Sequence, residues 1–429
     1  MFSEIADDRV PALAQSDFLE PNKFFGPGAA IGDVDGDGRP DLFVGGVGGG
    51  LFLNRADPRG FRFEPAPMPP IDIVPIAIAF GDFDRDGDLD LAVCGHGGTR
   101  LFANDGSGGF ADVTATASVA GPPSDLCVSV TFGDLDGDGW PELVAGSYGI
   151  VFDATYDEQA SHVWINQRDG TFADLPSLQA PDELRRAIIT TIGDFDGDGR
   201  PDLYLSDDAE VFFLDHTKAR HDLVLLNQGL DGDGLPALAD ASAALGLADE
   251  RSTMGCLFGD AGDGGWELFL PDIMKGWLMR QSGPGRPFAD VAQASGVALD
   301  GPIGEEWIMW GGAFADLDGD GREDLLVGQA PIHPDMAETA TLGPLLLRNG
   351  GDKFTLERYA FGGPMRARAV LLVDLDGDGD EDAIVVPYFD RFRFFENDTA
   401  PRRSGRVRLP PTVSAPGAAG AVVTLHSGG

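Results

Sequence analysis

Apolar positions along this chain fall in short runs rich in β-branched and aromatic residues, and the runs come in sets. One set opens with "IAIAF" (76–80), continues with "LAVCG" (91–95) and "LFAN" (101–104), and ends with "FADV" (110–113). None of the runs shows the helical spacing of three and four. Gly, Asn and Asp punctuate them, so each set predicts a four-stranded antiparallel meander.

The set recurs. First runs read "AAI", "IAIAF", "VSVTF", "AIITTI", "MGCLF", "GGAF" and "AVLLV"; second runs read "LFVGG", "LAVCG", "LVAG", "LYLS", "LFLP", "LLVG" and "AIVV". Third runs end in an amide, at Asn54, Asn104, Asn166, Asn227, Gln281, Asn349 and Asn397. A fourth run carries an apolar residue, usually Phe, with an acid close behind. Seven such units predict an all-β, seven-bladed β-propeller over residues 1–400. After Asn397 the fourth run is missing, while "MFSEIADD" at the other end of the chain supplies Phe2, Glu4 and Ile5 in the expected pattern. The N-terminal strand is therefore expected to complete the seventh blade, closing the ring and leaving no free sheet edge at the seam.

Between the first and second runs lies an acidic stretch, "GDVDGDGRPDL" in the first unit. It follows D-x-D-x-D-G-x-x-(D/E). Ligands are expected at positions 1, 3, 5 and 9, with a backbone carbonyl or a further Asp at position 7. The candidates are Asp33, Asp35, Asp37, Arg39 and Asp41 in the first unit, and Asp82, Asp84, Asp86, Asp88 and Asp90 in the second. The third offers Asp134, Asp136, Asp138, Trp140 and Glu142; the fourth offers Asp194, Asp196, Asp198, Arg200 and Asp202. The sixth has Asp316, Asp318, Asp320, Arg322 and Asp324, and the seventh Asp374, Asp376, Asp378, Asp380 and Asp382. Alternate carboxylates converge on one point only if the backbone curls tightly, which Gly38 permits. Several hard oxygens without Cys or His favour Ca²⁺ over Mg²⁺ or Zn²⁺. An EF-hand is opposed by Val44 at position 12, by strand-like flanks, and by Pro40, Pro141 or Pro201 at position 8. The fifth copy, "GDAGDGGWEL", is one residue short, placing Asp260, Asp263 and Glu267 out of register, so about six ions are expected, with the fifth loop empty or weak.

Composition bears on this directly. There are 71 acidic residues against 30 Lys and Arg, a formal charge of −41. That argues against nucleic acid as a partner. Disorder is opposed by 28 Phe and 6 Trp. Self-repulsion on this scale needs neutralising, and six divalent ions would bring the charge to about −29. Cys94, Cys127 and Cys256 sit inside apolar runs and read as buried thiols rather than as a disulfide framework. No apolar stretch is long enough to span a bilayer, and "MFSEIADDRV" has no signal-peptide pattern, so the chain is either cytoplasmic or a trimmed exported protein.

The repeats resemble the FG-GAP/VCBS type of integrin α-subunit propellers. The likeness extends to cartilage-acidic-protein-like propellers, through "GDxDxDGxxDL", the amide, and segments such as "FADVTATASVAG" and "FADVAQASGVALDG". The resemblance implies structural calcium, export to an extracellular or periplasmic location, and a C-terminal ASPIC/UnbV module whose beginning the tail 401–429 resembles.

In such a meander the acidic loops share one rim, and loops between second and third strands share the other. Long excursions there, "SYGIVFDATYDEQASH", "DDAEVFFLDHTKARH" and "QAPIHPDMAETATLG", carry His162, His216, His221 and His333 beside Asp153, Tyr156, Asp157, Glu158, Asp207 and Asp208. Blade linkers add Arg185, Arg186, Glu305, Glu306, Trp307 and Trp310, the indoles being a candidate glycan or partner platform. Two functions follow. One is a monomeric, calcium-rigidified binding, adhesion or scaffold module for a protein or glycan. The other is a lyase, hydrolase or cyclase acting on a small molecule at the channel mouth, with His162, His216, His221 and Asp157 as catalytic candidates. No nucleophile elbow, P-loop, dinucleotide fingerprint or HExxH motif is present.

Overall fold

The computed structural model describes residues 2–11, 13, 26–148, 161–175, 187–207, 221–249, 251–260, 266–273, 275–297, 307–331, 343–357, 360–388 and 391–399. These form seven four-stranded antiparallel sheets. In chain order the first six blades are β2–β5 (from Ala29–Gly32 to Gly60–Ala66), β6–β9 (Val74–Gly81 to Phe110–Asp112), β10–β13 (Cys127–Gly133 to Phe172–Asp174), β14–β17 (Ala187–Gly193 to Pro236–Asp240), β18–β21 (Leu257–Asp260 to Phe288–Asp290) and β22–β25 (Trp307–Ala315 to Phe354–Glu357). The seventh joins β26 (Ala367–Val373), β27 (Asp382–Pro387) and β28 (Arg393–Asn397) to β1 (Phe2–Ile5).

The expected closure is present. Phe2 pairs with Asn397 and Ile5 with Phe394. Glu4 accepts from Arg393 Nη2 at 2.6 Å, and Phe2 stacks on Phe361 at 4.6 Å. Ring and pair together hold a strand too short to stand alone.

Burial follows position within the blade. Second strands are buried at every residue in β3 (Asp41–Val44), β11 (Glu142–Ser147) and β27, because a neighbouring blade covers each face. That is why those runs read as continuously apolar rather than alternating. Fourth strands are short and show one buried Phe before two exposed residues, as in β13 and β21. Apolar clusters span adjacent blades. One joins Leu42, Phe61 and Phe63 of the first to Leu375, Ile384 and Phe394 of the seventh. First strands of neighbouring blades adjoin one another and form the hub.

The glycine before each of the first five acidic loops has a packing reason. A Cβ on Gly81 would stand 2.5 Å from the Phe132 ring of the next blade, and one on Gly133 would stand 2.6 Å from Ile192. The acid of the "FAD" segments caps the turn that follows: Asp112 Oδ1 accepts from the Thr114 amide, opening α1 (Thr114–Ala117), the one helix among the described residues.

One sequence expectation is corrected. Cys94 and Cys127 are not separate thiols but a disulfide, their Cα atoms 5.5 Å apart. The two runs lie on neighbouring blades, β7 (Asp90–His96) and β10, a proximity that an odd cysteine count does not reveal. Cys256 is a buried free thiol, as expected.

Candidate metal centres

Each acidic loop is pinned to the core at position 2. Val34, Phe83, Leu135, Phe195, Leu317 and Leu375 are all buried. In all but Leu317 the backbone amide meets the position-9 carboxylate. Val34 N–H donates to Asp41 Oδ2 at 2.9 Å, Phe83 N–H to Asp90 at 2.9 Å, Phe195 N–H to Asp202 at 2.8 Å and Leu375 N–H to Asp382 at 2.9 Å. The other oxygen of that carboxylate accepts from the backbone of the third-strand amide residue: Asn54 to Asp41 at 2.7 Å, Asn104 to Asp90 at 2.9 Å and Asn397 to Asp382 at 2.9 Å. Position 9 thus staples the loop to its own blade with both oxygens, and in the third and fourth loops its Glu142 and Asp202 also lend an oxygen to the acidic group.

The side chains of those amides face the other way. Asn104 Nδ2 donates to the Val34 carbonyl of the preceding blade at 2.8 Å, Asn166 to Phe83 at 2.8 Å and Asn227 to Leu135 at 2.6 Å. Gln281 reaches Phe195 at 3.0 Å, and Asn397 reaches Leu317 at 3.1 Å. The repeated amide, which the sequence displays without a role, is in six of the seven units an inter-blade tie ending on the acidic loop, while Asn349 bonds Glu323 of its own blade.

Positions 1, 3 and 5 curl inward. Gly38 N–H donates to Asp33 at 2.9 Å, Asp37 N–H to Asp35 at 3.3 Å and Arg39 N–H to Asp37 at 2.9 Å. The same pattern holds at Gly139, Asp138 and Trp140 of the third loop and at Gly199, Asp198 and Arg200 of the fourth. Each bond uses one oxygen of the acid. The acids also gather: one oxygen from each of Asp33, Asp35 and Asp37 lies within 4.8 Å of the others. So do those of Asp82, Asp84 and Asp86; of Asp134, Asp136 and Glu142; of Asp194, Asp196 and Asp202; and of Asp316, Asp318 and Asp320. These groups are able to hold a metal ion.

Three observations fit a cation there. Asp33 Oδ1, Asp82 Oδ1 and Asp134 Oδ1 are buried without a hydrogen-bond partner, as are both oxygens of Asp380. A buried, unpaired carboxylate oxygen is costly unless a cation meets it. Burial also pushes the acids up: Asp41 to about 6, Asp202 to about 7, Asp90 and Asp382 to about 8 and Glu142 to about 9, against the pull of their backbone donors. Burial and neighbouring acids raise Asp380 to about 7. Finally, arginines lean onto several loops. Arg55 bonds Asp35, Arg168 bonds Asp138, Arg200 bonds Asp198 and Arg322 bonds Asp320. Guanidinium marks where positive charge is wanted. In the fifth blade Glu267 is engaged by Arg280 at 2.5 Å, and 261–265 lie outside the described residues.

On the opposite rim, His162 approaches Asp174 at 3.4 Å and stacks on Trp164 at 4.8 Å, all within its own blade. His221 is half-buried beside Asp222, whose carboxylate accepts from Tyr204 and Thr253. His216, His333, Asp153, Tyr156, Asp157, Glu158, Asp208, Arg185, Arg186, Glu305 and Glu306, and the tail 401–429, lie outside the described residues. Trp310 is buried and stacks under Arg368.

The fold and loops define a β-propeller whose blades carry one acidic loop each. The chain matches the FG-GAP-like repeat model over residues 33–93, 82–145 and 150–205, and so carries FG-GAP-like repeats. Among curated proteins, no sequence matches it at a significant level. Two crystal structures of BBS1N in complex with ARL6DN share the fold. The mercury-soaked one aligns at TM-score 0.54 and 10% identity over 93% of this chain and 98% of that one. The lead-soaked one aligns at 0.51 and 10% over 92% and 100%. No helix among the described residues is long and apolar enough to cross a membrane.

Proposed function

We propose that this chain is a calcium-clamped propeller that serves as a binding or scaffold module, offering the rim opposite the acidic loops to a protein or glycan. The observation that carries the clamp is the buried, unpartnered Oδ1 of Asp33, Asp82 and Asp134 in loops tied to the next blade. Asp33, Asp35 and Asp37 and their counterparts would hold the ions. Oxygen-only donors in a glycine-curled loop suit Ca²⁺. The ion would offset the repulsion that a formal charge of −41 imposes.

The module reading is supported by the described contacts of His162, which are structural and stay within its blade. It is supported also by the fold, which BBS1N uses in its complex with ARL6DN. A disulfide between Cys94 and Cys127 favours an oxidising compartment and accords with export, as in the cartilage-acidic-protein-like, ASPIC/UnbV-associated propellers that the repeats resemble.

The test is a glycan array and a protein-capture screen, run on the calcium-loaded chain and repeated after chelation. Saturable binding blocked by substitutions within 149–160 or 208–220 supports the reading. Turnover of a screened small molecule, lost in His162→Ala, would overturn it in favour of an enzyme.

A further inference from the structure

Five of the seven first strands carry a bulge near their start, and the extra residue points into the hub. It is Ile76 in β6, Val128 in β10, Ile188 in β14, Trp310 in β22 and Arg368 in β26. Bulges re-aim side chains. The result is an apolar throat: Ile188, Trp310 and Tyr388 pack in one cluster, Ile76 and Val128 in another, and Tyr148 belongs to both. Arg368 is the one charged member of this bulge series.

Arg368 is 6% exposed. Its guanidinium carbon sits 3.4 Å from the Trp310 ring centre and 4.5 Å from that of Tyr388. Both Nε and Nη2 lack a hydrogen-bond partner, and so does Trp310 Nε1. The backbone of the first blade passes close by: a Cβ on Gly26, whose φ is +67°, would lie 3.3 Å from Arg368 Cγ. Burial holds the guanidinium pKa down at about 10, which still leaves it charged at neutral pH. Ring faces compensate a cation in part. The Tyr388 hydroxyl meets part of the guanidinium, but Nε and Nη2 stay unmet, at a cost that a buried charge sustains only when something pairs with it.

We propose that the throat is a binding site for a small monocarboxylate with an apolar or aromatic body, the carboxylate seated on Nε and Nη2 of Arg368. Those two donors form the side-on edge of the guanidinium, whose spacing matches the two oxygens of one carboxylate. Trp310, Tyr388 and Ile188 supply the apolar wall. Arg368 is the buried cation that meets one negative charge, while the half-buried Arg366 acts on Tyr388 only through its field. A dianionic phosphate would leave excess negative charge buried in a chain already at −41. The site is separate from the acidic rim and does not depend on calcium chemistry.

The experiment uses the full, calcium-loaded chain with phenylacetate as probe, phenylacetamide as the neutral isostere and phenyl phosphate as the dianion. Phenylacetate at ~10 mM raises the melting temperature by roughly 2 °C or more, and the other two do not. Arg368→Met abolishes the shift, and without ligand it melts no lower than the parent, because an unpaired buried charge has gone. Arg368→Lys keeps the charge without the fork and weakens phenylacetate binding by about tenfold or more. The proposal is overturned if neither phenylacetate nor octanoate binds. It is also overturned if Arg368→Met and Arg368→Lys retain the full shift, or if Arg368→Met alone melts several degrees lower, since the guanidinium is then a packing element.

Discussion

Asn54 of the first blade donates its side-chain amide to the carbonyl of Leu375 in the seventh, at 3.0 Å across 321 residues of sequence. It is the seam's copy of a bond that every tie from Asn104 to Asn397 repeats inside the chain. An end-to-end contact of this kind exists only in a closed ring. It also makes the seam chemically like the other blade junctions.

Replacing such a tie has a defined cost. Asn104→Ala leaves the carbonyls of Val34 and Leu89 without their donor in a buried setting. A loss of about 1–3 kcal/mol is expected in urea unfolding with calcium present. Asn104→Asp is expected to be worse, since it sets a carboxylate against carbonyl oxygens.

Positions 3 and 9 of the loop should separate in one experiment. Asp84→Asn removes a candidate ligand and lowers the melting temperature only when calcium is present. Asp90→Asn breaks the staple to Phe83 and Asn104, so it destabilises the chain with calcium or with chelator. Differential scanning calorimetry of both variants in both states reads this directly. If Asp84→Asn and the parent melt alike in calcium, and elemental analysis finds no bound ion, the clamp is wrong.

Stability of the metal-free chain should fall as pH rises. Asp41, Asp202, Asp90, Asp382 and Glu142 all have folded pKa values above the ordinary carboxylate range, at about 6, 7, 8, 8 and 9. The folded chain therefore holds their protons more tightly than the unfolded chain does. Its advantage is complete below about pH 4 and is lost progressively as pH climbs from about 4 through the folded values to about 9. Urea midpoints at pH 5 and pH 9 with chelator would show the drop, and saturating calcium should shrink it. A metal-free midpoint that rises with pH would contradict the assignment.

Removing residues 1–8 takes away β1 and uncovers the edge of β28, including the Glu4 pairing with Arg393. Exposed edges recruit other chains. The truncated protein is expected to form dimers or larger species by light scattering, while the parent stays monomeric.

Much of this was readable from the residues. Strand count, blade boundaries and the borrowed "MFSEI" strand follow from runs whose period survives in every unit. The acidic loops were legible because a pattern of alternate carboxylates has few other uses. What escaped was whatever depends on neighbours. The Asn54 side chain looks the same whether it faces water or Leu375. The sequence marks Asp41 as a candidate ligand, but not that its two oxygens also hold the Val34 and Asn54 backbone amides. Cys94 and Cys127 become partners only because adjacent blades stack. Arg368, in "RARAVLLV", carries no signal beyond a charge inside an apolar run; only the bulge shows where it points.

The borrowed strand sets the order in which the molecule can be finished. Residues 2–5 leave the ribosome long before their pairing partner, 394–397, which follows almost four hundred residues later. Until then that strand must wait unpaired while six blades assemble behind it. Contacts this distant in sequence form slowly. Ring closure is thus the natural last step of folding, and a chain released early would carry two loose ends in place of one seam.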